Sequence, residues 1–388
     1  MTNNKQRNIP DGWQRVKLGD IGKVSMCKRI MKNQTSSSGD IPFFKIGTFG
    51  KKPDAFISHE LFNQYKEKYS FPKKGEILIS ASGTIGRAVV YDDNPAYFQD
   101  SNIVWLSNDE KIIKNKFLNY LYKIIKWETS SGTIARLYND NIKSIVVCAP
   151  PLPEQNAIVE ILETWDKYLE NLDQKIKTKK KIKKGLMQKL LSGDKRLKGF
   201  GGEWSEFKLD DISECLDTKR VPLNSEDRKN IKGDYPYCGA NGIVDYINKY
   251  IFDEDIILIA EDGGYFDEYK TRPIAYRIKE KCWVNNHAHV IKAKKYFSHD
   301  LLFYLLVHKN ILPYLSGGTR VKLNKSELLK IKINAPKELK EQQAIAEVLT
   351  KADEEIEKLE EKRKVIADQK KYLLNNLITR KIRIPVNN

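Results

Sequence analysis

Cysteine is scarce in this 388-residue chain and never closely spaced. Cys27, Cys148, Cys215, Cys238 and Cys282 form no CxxC pair. That spacing gives neither a disulfide framework nor a zinc knuckle, and it points to reduced thiols buried as small apolar groups. Long apolar runs are missing as well. No stretch approaches the roughly 18 apolar residues that cross a bilayer. The opening MTNNKQRNIPDGW has no export-type apolar segment, so a cytoplasmic protein with no membrane partner is expected. Signatures of chemistry are equally absent. Ser80–Arg87 (SASGTIGR) has glycines but lacks the Lys-Ser/Thr ending of a loop that cradles ATP phosphates. An adenine methyltransferase grips its flipped base with Asn/Asp-Pro-Pro-Tyr/Phe. Here Cys148–Leu152 (CAPPL) keeps only the prolines, which suit a helix stop. Glu360-Glu361-Lys362 contains the E-x-K of some nucleases, but on a stretch where the charged flanks of a coiled coil are expected. His287 and His289 alternate on one expected strand without a third ligand. No catalytic residue, metal site or cofactor is therefore assigned to the chain.

Acidic residues are in deficit: Lys and Arg number 68 against 51 Asp and Glu, a net charge of +17. A basic surface attracts polyanions, of which nucleic acid is the commonest in a cytoplasm. The competing readings are a solubility surface or an acidic protein partner.

What the chain does contain, it contains twice. GWQRVKLGDIG (Gly12–Gly22) returns as EWSEFKLDDIS (Glu203–Ser213). GEILISASGTIG (Gly75–Gly86) has a looser echo in EDIILIAEDGGYF (Glu254–Phe266), and YFQDSNIVWL (Tyr97–Leu106) a faint one in WVNNHAHVIK (Trp283–Lys292). LPEQNAIVEILETWD (Leu152–Asp166) and LKEQQAIAEVLTKAD (Leu339–Asp353) match best, 187 positions apart, and that offset holds to the end of both segments. A period this long means duplicated domains and not a solenoid.

The matched segments carry an a/d seam over about five heptads. Its first copy is Ile158, Leu162, Trp165, Leu169, Leu172, Ile176, Leu186 and Leu190, with Lys179 and Lys183 filling two positions. The second copy is Ile345, Leu349, Ala352, Ile356, Leu359, Arg363, Ile366, Lys370, Leu373 and Leu377. Pro150, Pro151, Pro153 and Pro336 stop any helix upstream, and Ser192-Gly193 closes the first one. Each rod of some 38 residues would be roughly 55–60 Å long. Two helices with one repeated seam read as partners. Antiparallel pairing within the chain fits best, because a whole domain separates them; a parallel dimer between chains is the other arrangement. The seam lysines read as a register device or as snorkelling side chains.

The bodies preceding each helix differ in kind. Short β-branched runs such as GEILISAS, AVVYD, NIVWL, IKSIVVCA, DIILIAE, HVIKAK and LLKIKINA alternate with Gly-, Asn- and Ser-rich turns. Helix is expected over Lys114–Glu128 and Ser298–Leu315. The fold class is α+β: two mixed α/β domains separated by a long antiparallel two-helix coiled coil, with a pseudo-two-fold internal repeat. The expected boundaries are 1–151, 152–198, 199–336 and 337–388.

A body ending in SGTIARLYNDNIKSIVVCAPPLPEQNAIVEIL, followed by a long helix closing on KKGLMQKLLSG and then repeated, resembles the specificity subunit of a Type I restriction–modification system. The second copy departs from the pattern, with LKEQQAIAEVL and YLLNNLI. The resemblance implies that each body is a target recognition domain reading one half of a split site on double-stranded DNA. The coiled coil would hold the readers at fixed separation and dock two modification subunits, which bring S-adenosylmethionine and methylate adenine at N6. Restriction subunits, with ATP and magnesium, would join for cleavage, and this chain would catalyse nothing. The bodies differ, so the site is expected to be asymmetric. The alternative is a non-catalytic coiled-coil adaptor that binds proteins, its basic charge incidental.

DNA contacts are expected on loops where Gly admits the backbone, Ser/Thr donates to phosphate and a nearby cation supplies charge. In the first body these are Ser82, Gly83 and Thr84 with Arg87, and Ser131, Gly132 and Thr133 with Arg136. In the second they are Gly263, Gly264 and Tyr265; Asn285, Asn286 and His287; and Ser316, Gly317, Gly318, Thr319 and Arg320 with Lys322. The lysine run from Lys177 to Lys184 reads as a solvated face, a phosphate contact over unread base pairs, or a site for an acidic partner.

Overall fold

The computed structural model describes residues 10–127, 136–318 and 321–385. It forms two units, Met1–Asn171 with Arg363–Asn388, and Leu172–Lys362. Among the described residues no helix is long and apolar enough to cross a membrane.

In the first unit, four strands make an antiparallel sheet in the order Gly22–Met26, Ile103–Asn108, Ile77–Ser80, Ala88–Val90. Ile77, Leu78 and Ile79 are all buried, as an apolar run in a central strand covered on both faces should be. A second sheet is ordered Phe56–Ile57, Ile41–Phe44, Tyr97–Phe98, its last pairing parallel. A two-stranded ladder pairs Gln14–Lys17 with Val146–Ala149, zipping the start of the body to the strand just before the first long helix.

The second unit repeats this topology strand for strand. Its antiparallel sheet runs Ser213–Cys215, Ala288–Ala293, Ile256–Ala260, Ala275–Ile278. Its second sheet runs Gly242–Ile247, Lys232–Gly239, Trp283–Val284, again with one parallel pairing, and Trp204–Lys208 pairs with Lys332–Pro336.

Several local expectations need correction. The helix expected over Lys114–Glu128 spans Asn115–Tyr122; beyond it the chain turns back, so that Trp127 packs edge-on against Tyr122 with ring centroids 5.3 Å apart. The helix expected over Ser298–Leu315 spans His299–Val307, where the Val307 carbonyl accepts from the Ile274 amide, and a separate 3-10 turn covers Leu312–Tyr314. The run IKSIVVCA is not one strand: Asn139–Ser144 is helical, its start tied by the Asn141 side chain accepting from the Tyr138 amide at 3.0 Å. LLKIKINA likewise divides into a helix at Lys325–Leu329 and a strand at Lys332–Pro336. His287 lies just outside the strand that holds His289.

The long helices are Leu152–Leu191 and Leu339–Ile378, each of 40 residues. Within each unit they pack antiparallel through the repeated seam. Ile158, Val159 and Leu162 join Leu377 and Ile378 in the core of the first unit. In the second, Ile345, Ala346 and Leu349 join Leu190, with Leu191 packed alongside; every residue here is 187 positions from its counterpart. Leu172, Ile176 and Ile356 are buried, while Trp165, Leu169, Leu186, Leu359, Ile366 and Leu373 are half-buried.

Three polar devices repeat, their glutamates, glutamines, aspartates, lysines and arginines at the same offset. Glu154, 1% exposed, takes the Arg383 guanidinium at 2.7 and 2.8 Å and the Trp13 indole N–H at 3.0 Å. Glu341, also buried, takes Arg196 at 2.7 and 2.6 Å, and that guanidinium lies over Trp204. Gln155 accepts from the Lys114 amide and donates to the Pro150 carbonyl; Gln342 accepts from the Ser298 amide and donates to the Pro336 carbonyl, all at 2.8 Å. Finally, Lys370 pairs with Asp166 and Lys183 with Asp353, and each aspartate also accepts from a tyrosine, Tyr120 at 2.7 Å and Tyr304 at 2.8 Å. Burial alone would raise the Asp166 carboxyl, but the bonds from Lys370 and Tyr120 hold it below the usual carboxylate range. Lys183 and Lys370 of the seam thus each meet a carboxylate on the facing helix.

Candidate nucleic-acid interface

Ser82–Arg87 forms the turn between the strands Ile77–Ser80 and Ala88–Val90. Gly83 and Gly86 have φ of +64° and +78°, a left-handed conformation that favours glycine, and Trp127 leaves no room for a side chain at Gly86. Gly263, Gly264 and Tyr265 occupy the corresponding link in the second body, with Gly263 at φ +66°. The segments entering the neighbouring central strand are Asp100–Asn102 and Asn285–His287, and the segments entering the last short helix contain Arg136 and Ser316–Lys322. Of the expected contacts, Ser131, Gly132, Thr133, Thr319 and Arg320 lie outside the described residues.

In the first body the loops meet through the backbone. The Ala81 amide donates to the Asn102 carbonyl and the Leu137 amide to the Ala81 carbonyl, both at 2.8 Å. The Ser82 hydroxyl donates to Asn102 Oδ1 at 2.9 Å, and Arg136 donates to the Ser101 carbonyl at 3.0 Å. Gly83 and Thr84 are exposed. Arg87 points elsewhere, its guanidinium donating to the Phe49 carbonyl at 2.6 Å.

The second body brings its loops together in the same way. The Glu261 amide donates to the His287 carbonyl and the Leu323 amide to the Glu261 carbonyl, both at 2.8 Å. His287 Nδ1 lies 2.7 Å from Asp262 Oδ1. Ser316 and Lys322 exchange backbone hydrogen bonds of 2.9 and 2.8 Å, closing the loop that contains Gly317 and Gly318. Tyr265 is covered by the Arg272 guanidinium, 3.3 Å from its ring centroid. Asn241 donates to the Gly263 carbonyl at 2.8 Å. Asn285 is buried, its side chain accepting from the His287 amide, and the Asn286 carbonyl faces Arg220.

Beneath this edge lies an ionic network that the sequence reading does not contain. Arg220 donates to Glu261 at 2.6 Å and to the Ala288 carbonyl at 2.9 Å, and lies 3.2 Å from Asp217; Lys322 reaches Glu261 at 2.7 Å. His289 sits between Asp217 at 2.6 Å and the Leu323 carbonyl at 2.7 Å. Burial would raise the Asp217 and Glu261 carboxyls, but hydrogen bonds from His289 to Asp217 and from Lys322 and Arg220 to Glu261 hold both below the usual range. Cys215, Asp217 and His289 place three potential ligand atoms within 4.8 Å of one another. The Arg220 guanidinium meets the Asp217 charge, and burial pushes the Cys215 thiol up to about 11.

The lysine run divides by partner. Lys179, Lys180 and Lys183 pair with Glu355, Glu360 and Asp353 of the second long helix. Lys177, Lys181 and Lys184, at i, i+4 and i+7 along one side, are exposed and have no carboxylate partner among the described residues.

Residues missed in the sequence include Asp100, Ser101, Asn102, Asp262, Glu261 and Arg220. Asn102 had a signal: it lies in YFQDSNIVWL, whose echo in the second body carries Asn285, Asn286 and His287.

Comparison with known proteins bears on this arrangement. A protein of Haemophilus influenzae, named as a type I restriction enzyme specificity subunit, is 62% identical over 163 residues, 42% of each chain. The chain therefore spans less than half of that relative. The Methanocaldococcus jannaschii protein named as the MjaX specificity subunit is 28% identical over 417 residues, 97% of this chain and 95% of that one. The crystal structure of a Type I restriction–modification S subunit from M. genitalium shares the fold, with a TM-score of 0.64 at 18% identity over 100% of this chain and 99% of that chain. The model of the Type I restriction modification DNA specificity domain matches twice, at residues 10–183 and 201–367, so the chain belongs to that family as a specificity subunit.

Proposed function

We infer that this chain reads double-stranded DNA for a Type I restriction–modification complex, each body recognising one half of a bipartite, asymmetric site. The observation that carries this reading is one three-loop edge built twice, on the same sheet topology and the same backbone hydrogen bonds, but furnished with different side chains. A repeated scaffold supplies the same approach to a groove, and unlike side chains supply unlike base preferences. The paired long helices would set the number of unread base pairs between the half-sites and dock two modification subunits. Those partners would bring S-adenosylmethionine for adenine-N6 methylation, and restriction subunits would use ATP and magnesium. The chain itself would position and not catalyse.

Mapping N6-methyladenine in the DNA of cells that make the whole system tests this. The expected result is one split motif with two unlike halves and a fixed spacer, lost when this chain is deleted. A contiguous or palindromic motif would overturn the reading.

A further inference from the structure

Backbone hydrogen bonds fix which residues of the two bodies correspond. Ala81 donates to Asn102 as Glu261 donates to His287, and each first residue accepts in turn, from Leu137 and from Leu323. Asn102 thus stands where His287 stands. One step along the chain, Ser82 matches Asp262 and Arg136 matches Lys322. The matched side chains also keep the same contact while changing its chemistry: Ser82 bonds Asn102 at 2.9 Å, and Asp262 bonds His287 at 2.7 Å.

Resting on the DNA-reading function above, we propose that the Ser82–Asn102 and Asp262–His287 pairs are the base-reading positions of their respective bodies, and that Arg136 and Lys322 are the matching phosphate contacts. In the first pair the Ser82 proton occupies Asn102 Oδ1 and leaves the amide N–H donors, which suit the acceptor edges of guanine or thymine. In the second, Asp262 adds a carboxylate acceptor, which suits the amino group of cytosine or adenine, and leaves His287 Nε2 as the remaining polar atom of its ring. Arg136 and Lys322 are each tethered beside the pair, to the Ser101 carbonyl and to Glu261, which holds their charge at the edge of the base contact.

Exchange of the pairs tests the assignment in cells carrying the complete system. Asp262→Ser with His287→Asn gives the second body the chemistry of the first. Methyladenine mapping should then show altered bases in one half of the motif only, with spacer and other half unchanged. Asn102→Asp, close to isosteric, serves as an independent variant should the exchange destabilise the body, and it too should alter one half. Lys322→Gln should keep the motif and lower the slope of log affinity against log salt by about 0.9. A split wild-type motif left unaltered by both the exchange and Asn102→Asp overturns the assignment alone. A wild-type map with no split motif counts instead against the DNA-reading function. A salt slope unchanged in Lys322→Gln removes the phosphate role.

Discussion

Gln155 and Gln342 show how much one buried amide can organise. Each ties the first turn of a long helix to the carbonyl of a preceding proline and to the amide that opens or precedes a body helix. The repeated Glu-Gln was plain in the sequence, but its purpose was not, because the amides it ties, at Lys114 and Ser298, lie 41 and 44 positions away. The same holds for the network under the second reading edge. Asp217 and Glu261 have folded-state pKa values depressed relative to the roughly 4 of an unfolded carboxyl. Below that value the unfolded chain binds more protons, so their stabilisation is fully present above pH 4 and is lost as pH falls through the folded values. Stability of the full chain to urea should therefore fall as pH drops below about 4, and Glu261→Gln should lose less over that interval than the wild type. An identical pH dependence in the two proteins would remove Glu261 from the account.

At the scale of elements, the long helices were the most legible part. Their apolar period is sustained, prolines mark where they begin, and the seam accommodates Lys179, Lys183 and Lys370 because Glu355, Asp353 and Asp166 answer them. Neutralising a partly buried cation by a partner on the facing helix specifies register as well as stability. Lys183→Asp or Asp353→Lys alone should lower stability by about 1–2 kcal/mol, with much of that recovered in the double exchange. Equal losses in single and double variants would show that the pair does not set register. Body helices were less legible. His59–Lys68 begins with the Ser58 hydroxyl accepting from the Leu61 amide, a cap readable in principle, yet only Phe62 is fully buried, with Leu61 and Tyr65 packed alongside. The helix expected to continue to Leu315 stops at Val307, whose carbonyl is claimed by Ile274, a contact with no trace in local sequence.

For the whole molecule, the loose sequence echoes between bodies conceal identical strand orders, parallel pairings included. Strand pairing depends on alternating burial and turn geometry and tolerates wide substitution, whereas the long helices keep one heptad frame in both copies. On the proposed function, this division leaves the reading edges free to vary while the helices act as a fixed ruler. Seven residues inserted between Gln174 and Lys175, with seven between Glu361 and Lys362, keep both heptad frames. They add about 10 Å of helix, so the permitted spacer should lengthen by about three base pairs. A methylation motif with its original spacer would dismiss the ruler.

Sequence by itself determined the duplication, the helical seam, the basic charge and the glycine-bearing loops, because each depends on neighbours a few positions apart or on composition. Tertiary structure alone decided that Asn102 faces Ser82 as His287 faces Asp262, that Arg87 serves Phe49, and that Arg220 and Glu261 underlie the second edge. Those pairings join residues from separate strands and loops. Local sequence constrains only local geometry; which distant side chains come within hydrogen-bonding reach is set when the sheets close.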